Sequence, residues 1–88
     1  MKKLDLGCGN AKMEGAIGVD MEKYPGVDVV YDLNKFPYPF SDNEFDFVNC
    51  LHILEHLEEP FEAMKEICRI AKPGATVKVI TPHYTHRY

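Results

Sequence analysis

The stretch Leu4-Asp5-Leu6-Gly7-Cys8-Gly9 decides the fold, because a short apolar segment runs directly into a pair of glycines. The segment from Lys3 to Leu6 is predicted to be a β-strand. Glycines directly after a strand let the backbone adopt positive φ and let a ligand approach the main chain closely. A Gly-x-Gly pair alone is a weak signal, since any tight turn favours the same residues. The stretch therefore predicts a strand and a turn that could form part of a binding site.

The segment from Ala16 to Met21 is predicted to be the second strand, and it places an acidic residue beside the glycine turn. This residue is Asp20, within Ile17-Gly18-Val19-Asp20. A carboxylate at the end of the strand next to a glycine turn can accept hydrogen bonds from both hydroxyls of a ribose. The two features together favour a binding site over a simple turn.

Glycine and proline divide the rest of the chain into short apolar segments. Three further strands are predicted, at Val27 to Tyr31, Glu44 to Leu51 and Thr76 to Thr81. The segment from Asn34 to Asn43 contains two prolines and is predicted to be an irregular loop. We expect its aromatic rings to cap a small core; a lid over a ligand is the alternative.

One helix is predicted, from Pro60 to about Ala71. Proline is well placed in a first helical turn, and Pro73-Gly74 is expected to stop the helix. Apolar residues recur at three- and four-residue spacing and form one stripe, which consists of Phe61, Met64, Ile67, Cys68 and Ala71. Strands with a helical connection before the last one indicate an α/β fold whose sheet is mostly parallel.

The composition describes one ordinary globular domain, residues 1–88, with 45% hydrophobic and 27% charged residues. Ten Lys and Arg stand against fourteen Asp and Glu, so the net charge is -4. A nucleic-acid-coating or anionic-membrane surface is therefore not expected. No apolar run approaches the roughly 18 residues that a membrane span needs. The first residues turn acidic before any apolar stretch builds, so no signal peptide is expected.

The chain has three cysteines, Cys8, Cys50 and Cys68, which are odd in number and far apart. This pattern argues against a disulfide framework and predicts a reducing, cytoplasmic location. Cys50 and Cys68 lie in apolar patterns and are predicted to be core residues. Cys8 is expected to be a small residue behind a ligand, with a reactive thiol as the alternative.

In this order, the motifs resemble the class I S-adenosylmethionine-dependent methyltransferases, and most closely the small branch typified by methyltransferase type 11. The resemblance spans nearly the whole chain and consists of Leu4 to Gly9, Gly18-Val19-Asp20, Asp32-Leu33-Asn34, Phe45 to Val48 leading into Leu54-Glu55-His56, and Lys72-Pro73-Gly74. It implies a Rossmann-like, mostly parallel sheet with strand order 3-2-1-4-5. It also implies S-adenosyl-L-methionine as cofactor and methyl transfer to an acceptor as the reaction.

The resemblance assigns a role to each matching position. Residues that would line the methionine end of the cofactor are Asp5, Gly7 and Gly9, closed over by Asn49 and Leu51. Asp20 would hold the ribose, and the residues that would surround the adenine are Met21, Asp32 and Leu33. No general base is obligatory for this reaction; His52 and His56 are the best candidates for one, because imidazole titrates near neutral pH.

The chain also departs from the family pattern. Only ten residues separate Gly9 from Asp20, against roughly 20 in a full dinucleotide-binding unit, so the usual crossover helix is missing or reduced to one turn. The loop from Asn34 to Asn43 likewise replaces a helix. The family's sheet continues past the fifth strand, whereas this sequence stops at Tyr88. We therefore expect a minimal domain that lacks the usual C-terminal strands and is truncated after the fifth one.

The segment His52-Ile53-Leu54-Glu55-His56 also matches H-x-x-E-H, a zinc-protease motif. That motif needs both histidines on one face of a helix, whereas His52 follows a strand at once and Pro60 limits any helix between that strand and Pro60. His83 and His86 could join His52 in a metal cluster, but loop histidines are the simpler interpretation. No metal is therefore expected.

The sequence does not identify the methyl acceptor, although a small molecule is favoured over nucleic acid. The alternative function is a non-catalytic S-adenosylmethionine-binding module, or a fragment that needs a partner or a missing C-terminal region. The fifth strand holds Val77, Val79 and Ile80 with Lys78 as its only charge, which is weak protection for a sheet edge. We therefore expect a homo-oligomer formed through this strand or the C-terminal tail.

Overall fold

Within residues 1–51 and 53–80, five parallel strands form one sheet, and their order is β3-β2-β1-β4-β5. A computed structural model describes residues 1–51 and 53–80, apart from the side chains of Leu51 and Ile80. The strands are β1 (Lys3–Leu6), β2 (Ala16–Asp20), β3 (Val29–Val30), β4 (Phe45–Leu51) and β5 (Ala71–Ile80). One turn of 3-10 helix, Leu54–His56, and helix α1, Pro60–Ile70, connect β4 to β5. The predicted α/β class and strand order are confirmed.

The connection between β1 and β2 contains turns and no helix within residues 7–15, all of which the structure describes. Three hydrogen bonds hold it in place. The Gly9 N–H donates to Asp20 over 2.8 Å, the Met13 N–H donates to Asp5 over 2.8 Å, and the Lys12 ammonium donates to Asp28 over 3.1 Å. Hydrogen bonds that involve side chains therefore hold this loop in place. The prediction that the usual crossover helix is missing here is confirmed.

Lys12 covers the middle of β2. Its aliphatic stem lies across Gly18, where a Cβ atom would stand 2.7 Å from the Lys12 Cδ. The Gly18 N–H donates to the same Asp28 carboxylate over 2.8 Å, and this bond, followed by the Lys12 ammonium, lowers the pKa of Asp28. Long basic side chains often cover apolar surface in this way while keeping their charge in water.

Residues 34–43 form an irregular loop, as predicted, and α1 fastens this loop to the core. The Arg69 guanidinium donates to the carbonyls of Phe40 and Tyr38 over 3.0 and 3.1 Å, and to Asp42 over 2.7 Å. Glu66 pairs with Arg69 and accepts the Tyr38 N–H over 2.7 Å. Tyr38 is buried and Phe40 packs against the core as expected, whereas the ring of Phe36 is exposed.

The Glu66–Arg69 pair predicts a specific loss of stability in acid. The hydrogen bond from Arg69 holds the pKa of Glu66 below its usual value. A carboxylate with a lowered folded-state pKa contributes stability above its unfolded pKa and loses it as pH falls through the folded pKa. Glu66→Gln should therefore lower the free energy of unfolding at pH 7, and its deficit should shrink below about pH 4.

Urea unfolding at a series of pH values from 7 to 3 checks this expectation. Glu62→Gln serves as the control, because it removes a carboxylate from the same helix whose ion pair with Lys65 is exposed and contributes little. A Glu66→Gln deficit that stays constant over the pH series would contradict the proposed origin of the effect.

Helix α1 buries only part of the predicted stripe, of which Ile67 lies in the core and Met64 packs against it. Its buried residues are Ala63, Ile67 and Ile70, whereas Cys68 is exposed and Phe61 is 83% exposed. The prediction that Cys68 belongs to the core was therefore wrong, and so was the inclusion of Phe61. The spacing allowed two adjacent stripes on one helix, and the packing against the sheet selected the one that contains Ala63.

The boundary between α1 and β5 also differs from the prediction. The helix ends at Ile70, and Ala71 already has extended dihedrals. Pro73 disfavours the helical conformation at Lys72, the residue that precedes it. Helices usually end at or before such a residue, and this one ends two residues earlier. Pro73 and Gly74 lie inside β5, where its register with β4 shifts between Phe45 and Phe47.

Candidate functional site

The glycine turn after β1 needs both of its glycines for backbone reasons. Gly7 and Gly9 have φ values of 69° and 54°, in the region that favours glycine. A Cβ atom on Gly7 would stand 2.8 Å from the Cδ1 of Ile53. The N–H groups of Gly7 and Cys8 both donate to the Val19 carbonyl, over 2.8 and 3.1 Å. The turn is therefore tied to the end of β2.

Asp20 stands at the end of β2 and connects that end to the glycine turn. One carboxylate oxygen accepts the Gly9 N–H over 2.8 Å, and the other accepts the Glu22 N–H over 3.2 Å. A carboxylate has about four acceptor positions, so each oxygen keeps capacity for a further donor. The side chain is thus oriented by the backbone and still able to accept hydrogen bonds from a ligand.

A cleft opens at this edge of the sheet and contains about 380 Å³ of empty space, part of it open to solvent. Its walls come from the ends of β1, β2 and β3 and from the segment that follows β4. The lining residues are Gly7, Asp20, Met21, Tyr31, Leu33, Asn34, Ile53, His56 and Leu57. Crevices at the carboxyl ends of parallel strands, where the strand order reverses, are the usual ligand sites of such sheets.

A buried polar pair lies in the sheet beside the glycine turn. Asp5 and Asn49 are partners in the register of β1 with β4, and each is only 5% exposed. The Asn49 amide donates to Asp5 over 3.2 Å. The Asn49 Oδ1 atom is buried and has no hydrogen-bond partner within residues 1–51 and 53–80. A buried acceptor left without a donor is costly, so this atom suits a ligand that donates to it.

The structure brings together most of the predicted site residues. Five of them line the cleft, namely Gly7, Asp20, Met21, Leu33 and His56. Gly9, Asp5 and Asn49 are not part of the lining; Gly9 donates to the lining residue Asp20, and Asn49 donates to Asp5. Asp32 is not part of the lining; one of its oxygens accepts the Asn34 N–H over 2.9 Å. The side chain of Leu51 and all of His52, His83 and His86 lie outside the described residues.

Four lining residues were not predicted from the sequence. Tyr31 precedes the Asp32-Leu33-Asn34 motif and Asn34 is its last residue, and this position in the sequence was the available signal. Ile53 and Leu57 border the unpredicted 3-10 helix, and their four-residue spacing was the corresponding signal.

The thiol of Cys8 does not have the features of a reactive cysteine. The residue is buried, and burial, followed by the charges of Asp5 and Asp20, raises its pKa. Reactive cysteines require a lowered pKa and access to solvent. The residues that the structure describes also contain no group of three or more His, Cys, Asp or Glu placed to hold a metal ion.

Comparison with known families identifies the family of the chain. The sequence model of the family described as "Methyltransferase domain" matches residues 14–79. The chain therefore belongs to this methyltransferase family, and the resemblance noted from its motifs is confirmed. In the described part of the chain, no helix has the length and apolar character needed to cross a bilayer.

Two curated relatives illustrate the range of the family. Cycloartenol-C-24-methyltransferase 1 of Oryza sativa subsp. japonica is 32% identical over 111 residues, which cover 96% of this chain and 32% of the rice protein. Ubiquinone biosynthesis O-methyltransferase of Pseudomonas entomophila is 31% identical over 97 residues, which cover 86% of this chain and 42% of that protein. The chain thus spans less than half the length of either relative.

Solved structures show the same fold. A SAM-dependent methyltransferase from Aquifex aeolicus superposes with a TM-score of 0.69 and 26% identity, covering 90% of this chain and 55% of that one. The [4+2]-cyclase SpnF superposes with a TM-score of 0.71 and 24% identity, covering 89% of this chain and 37% of the cyclase. The second likeness concerns the fold alone, and that protein is a cyclase.

Proposed function

We propose that this chain is the cofactor-binding core of an S-adenosylmethionine-dependent methyltransferase whose acceptor is a small molecule. The observation that carries the proposal is Asp20, which lines the cleft at the end of β2 and is oriented by the Gly9 N–H. A carboxylate held in this way can accept hydrogen bonds from both hydroxyls of a ribose.

The other residues of the site fit the same cofactor. The unpartnered Asn49 Oδ1 atom suits an ammonium donor such as that of a methionine moiety. The carboxylates of Asp5 and Asp20 favour a ligand with positive charge. Met21 and Leu33 supply an apolar surface for a base. When bound, S-adenosylmethionine supplies an activated methyl group.

The roles of the chain itself are to bind, to orient and to accept a proton. His56 lines the cleft, and of the two candidate proton acceptors it is the one within the described residues. If the methyl acceptor must lose a proton during the reaction, an imidazole at this position could take that proton. His52 stays a prediction. We also propose a cytoplasmic location, supported by three free cysteines, and a homo-oligomer formed through β5 or the C-terminal tail.

Isothermal titration calorimetry tests the proposed cofactor. S-adenosylmethionine and S-adenosylhomocysteine should each bind at one site per chain. NAD should not compete, because residues 7–15 lack the helix onto which a pyrophosphate would bind. Equal binding of NAD, or no binding of either adenosyl compound, would overturn the proposal.

A second candidate function is a cofactor-binding module without turnover. The cyclase shares this fold, so the fold does not by itself specify methyl transfer. Single-turnover assays with labelled S-adenosylmethionine and a set of small-molecule acceptors distinguish the two functions. Binding without transfer to any acceptor would favour the module.

A further inference from the structure

The side-chain amide of Asn34 has a defined orientation in the cleft. Its Oδ1 atom accepts the backbone N–H of Glu58 over 2.9 Å. A backbone N–H can only donate, so the oxygen of the amide must face Glu58 and the NH₂ group must face away from it. Within the described residues, the NH₂ group donates to no acceptor. Asn34 therefore presents an unused donor whose direction is set by a backbone contact.

Asn34 also joins the two walls of the cleft. It follows β3, and its own N–H donates to Asp32 over 2.9 Å, which fixes the turn after that strand. Glu58 belongs to the segment between the 3-10 helix and α1, on the opposite wall. The hydrogen bond between Asn34 and Glu58 thus closes the β3 side of the cleft with a side chain that lines it.

The direction of the ligand follows from the strand order. Asp20, the proposed ribose anchor, stands on β2, and the polar pair of Asp5 and Asn49 stands on β1 and β4. In the proposed cofactor, the ribose lies between the amino acid and the base. If the amino acid binds over β1 and β4 and the ribose binds at β2, the base therefore lies on the side of β3. The lining of that side consists of Met21, Tyr31, Leu33 and Asn34.

We propose that Asn34 is a specificity-determining residue that donates a hydrogen bond from Nδ2 to a ring nitrogen of the adenine. The ring nitrogens of adenine are acceptors, so the unused donor is complementary to them. Asn34 lines the cleft on this side and its donor is unused, whereas Asp32 is not part of the lining. This inference rests on the proposed cofactor.

The variant Asn34→Asp separates base reading from structural support. Aspartate keeps an oxygen for the Glu58 N–H but replaces the NH₂ donor by an acceptor. The affinity for S-adenosylhomocysteine should therefore fall by roughly ten- to a hundredfold, since a lost donor leaves two acceptors facing each other. Asn43→Asp is the matched control: it makes the same change in charge outside the cleft, and its affinity should equal that of the wild type.

The ring nitrogen is identified with the 1-deaza, 3-deaza and 7-deaza analogues of S-adenosylhomocysteine, each of which lacks one acceptor. One analogue should bind the wild type about three- to tenfold more weakly than the parent compound, and Asn34→Asp should abolish that difference. If the wild type binds the parent and all three analogues equally, or if Asn34→Asp retains the difference, the assignment of Asn34 is wrong and the proposed function stands. If the wild type does not bind S-adenosylhomocysteine, both fail.

Discussion

Replacing Asp20 by asparagine is expected to weaken the binding of S-adenosylhomocysteine by about 1.5–3 kcal/mol, which is a factor of roughly 10 to 150. The asparagine oxygen can still accept the Gly9 N–H, so the glycine turn keeps its anchor. The other carboxylate oxygen is replaced by an NH₂ group, which cannot accept a hydrogen bond from a ribose hydroxyl, and the negative charge is lost. Titration calorimetry on the folded variant measures the effect.

Two further variants make this result interpretable. Asp42→Asn makes the same chemical change on the far loop, where the carboxylate contacts Arg69, and should leave the affinity unchanged. Asp20→Ala removes the acceptor for Gly9 as well, so it should lower both the affinity and the stability of the free protein. An Asp20→Asn variant that binds like the wild type would remove Asp20 from the ligand site.

Gly18→Ala is expected to lower the free energy of unfolding by about 1–3 kcal/mol, the usual cost of overpacking a filled site. The added Cβ would stand 2.9 Å from the Cys8 Sγ and 2.9 Å from the Gly26 carbonyl oxygen. The Lys12 stem can move aside, but a backbone oxygen cannot move without shifting its turn. For a domain whose total stability is about 5–10 kcal/mol, this loss is large.

Urea unfolding followed by circular dichroism checks the Gly18→Ala result. Cys8→Ala in the same background removes one of the two fixed neighbours, so part of the lost stability should return. A Gly18→Ala protein within about 0.5 kcal/mol of the wild type would mean that the junction of Lys12, Cys8 and Gly26 is loosely packed.

The sequence was sufficient for the existence and order of the strands, although not for every boundary, since β5 begins at Ala71 and not at Thr76. Gly7 marked the end of β1, and the distance from Gly9 to Asp20 was too short for a helix, so the loop was predictable. The stripe on α1 was not predictable, since Phe61 and Ala63 each begin an acceptable apolar pattern. Only the packing against the sheet decides between them, and it buried Ala63.

The site was predictable where backbone geometry requires a particular residue. Gly7 and Asp20 fall in this group, because a left-handed turn and a strand end define their positions. The role of Asn34 was not predictable, because the orientation of its amide depends on a hydrogen bond from Glu58, a residue distant in sequence. The role of Lys12 was likewise hidden, since a lysine in a polar loop gives no sign that it covers a glycine in a strand.

The pairing of Asp5 with Asn49 has a thermodynamic consequence. These residues are 44 positions apart, so the pair is assembled only when β1 and β4 have met in the folded domain. A ligand that needs both strands binds the native state and not the unfolded chain. Its binding energy is then added to the stability of the domain, by about 2.7 kcal/mol at a ligand concentration one hundred times Kd. The melting temperature of so small a domain should therefore report the cofactor concentration around it.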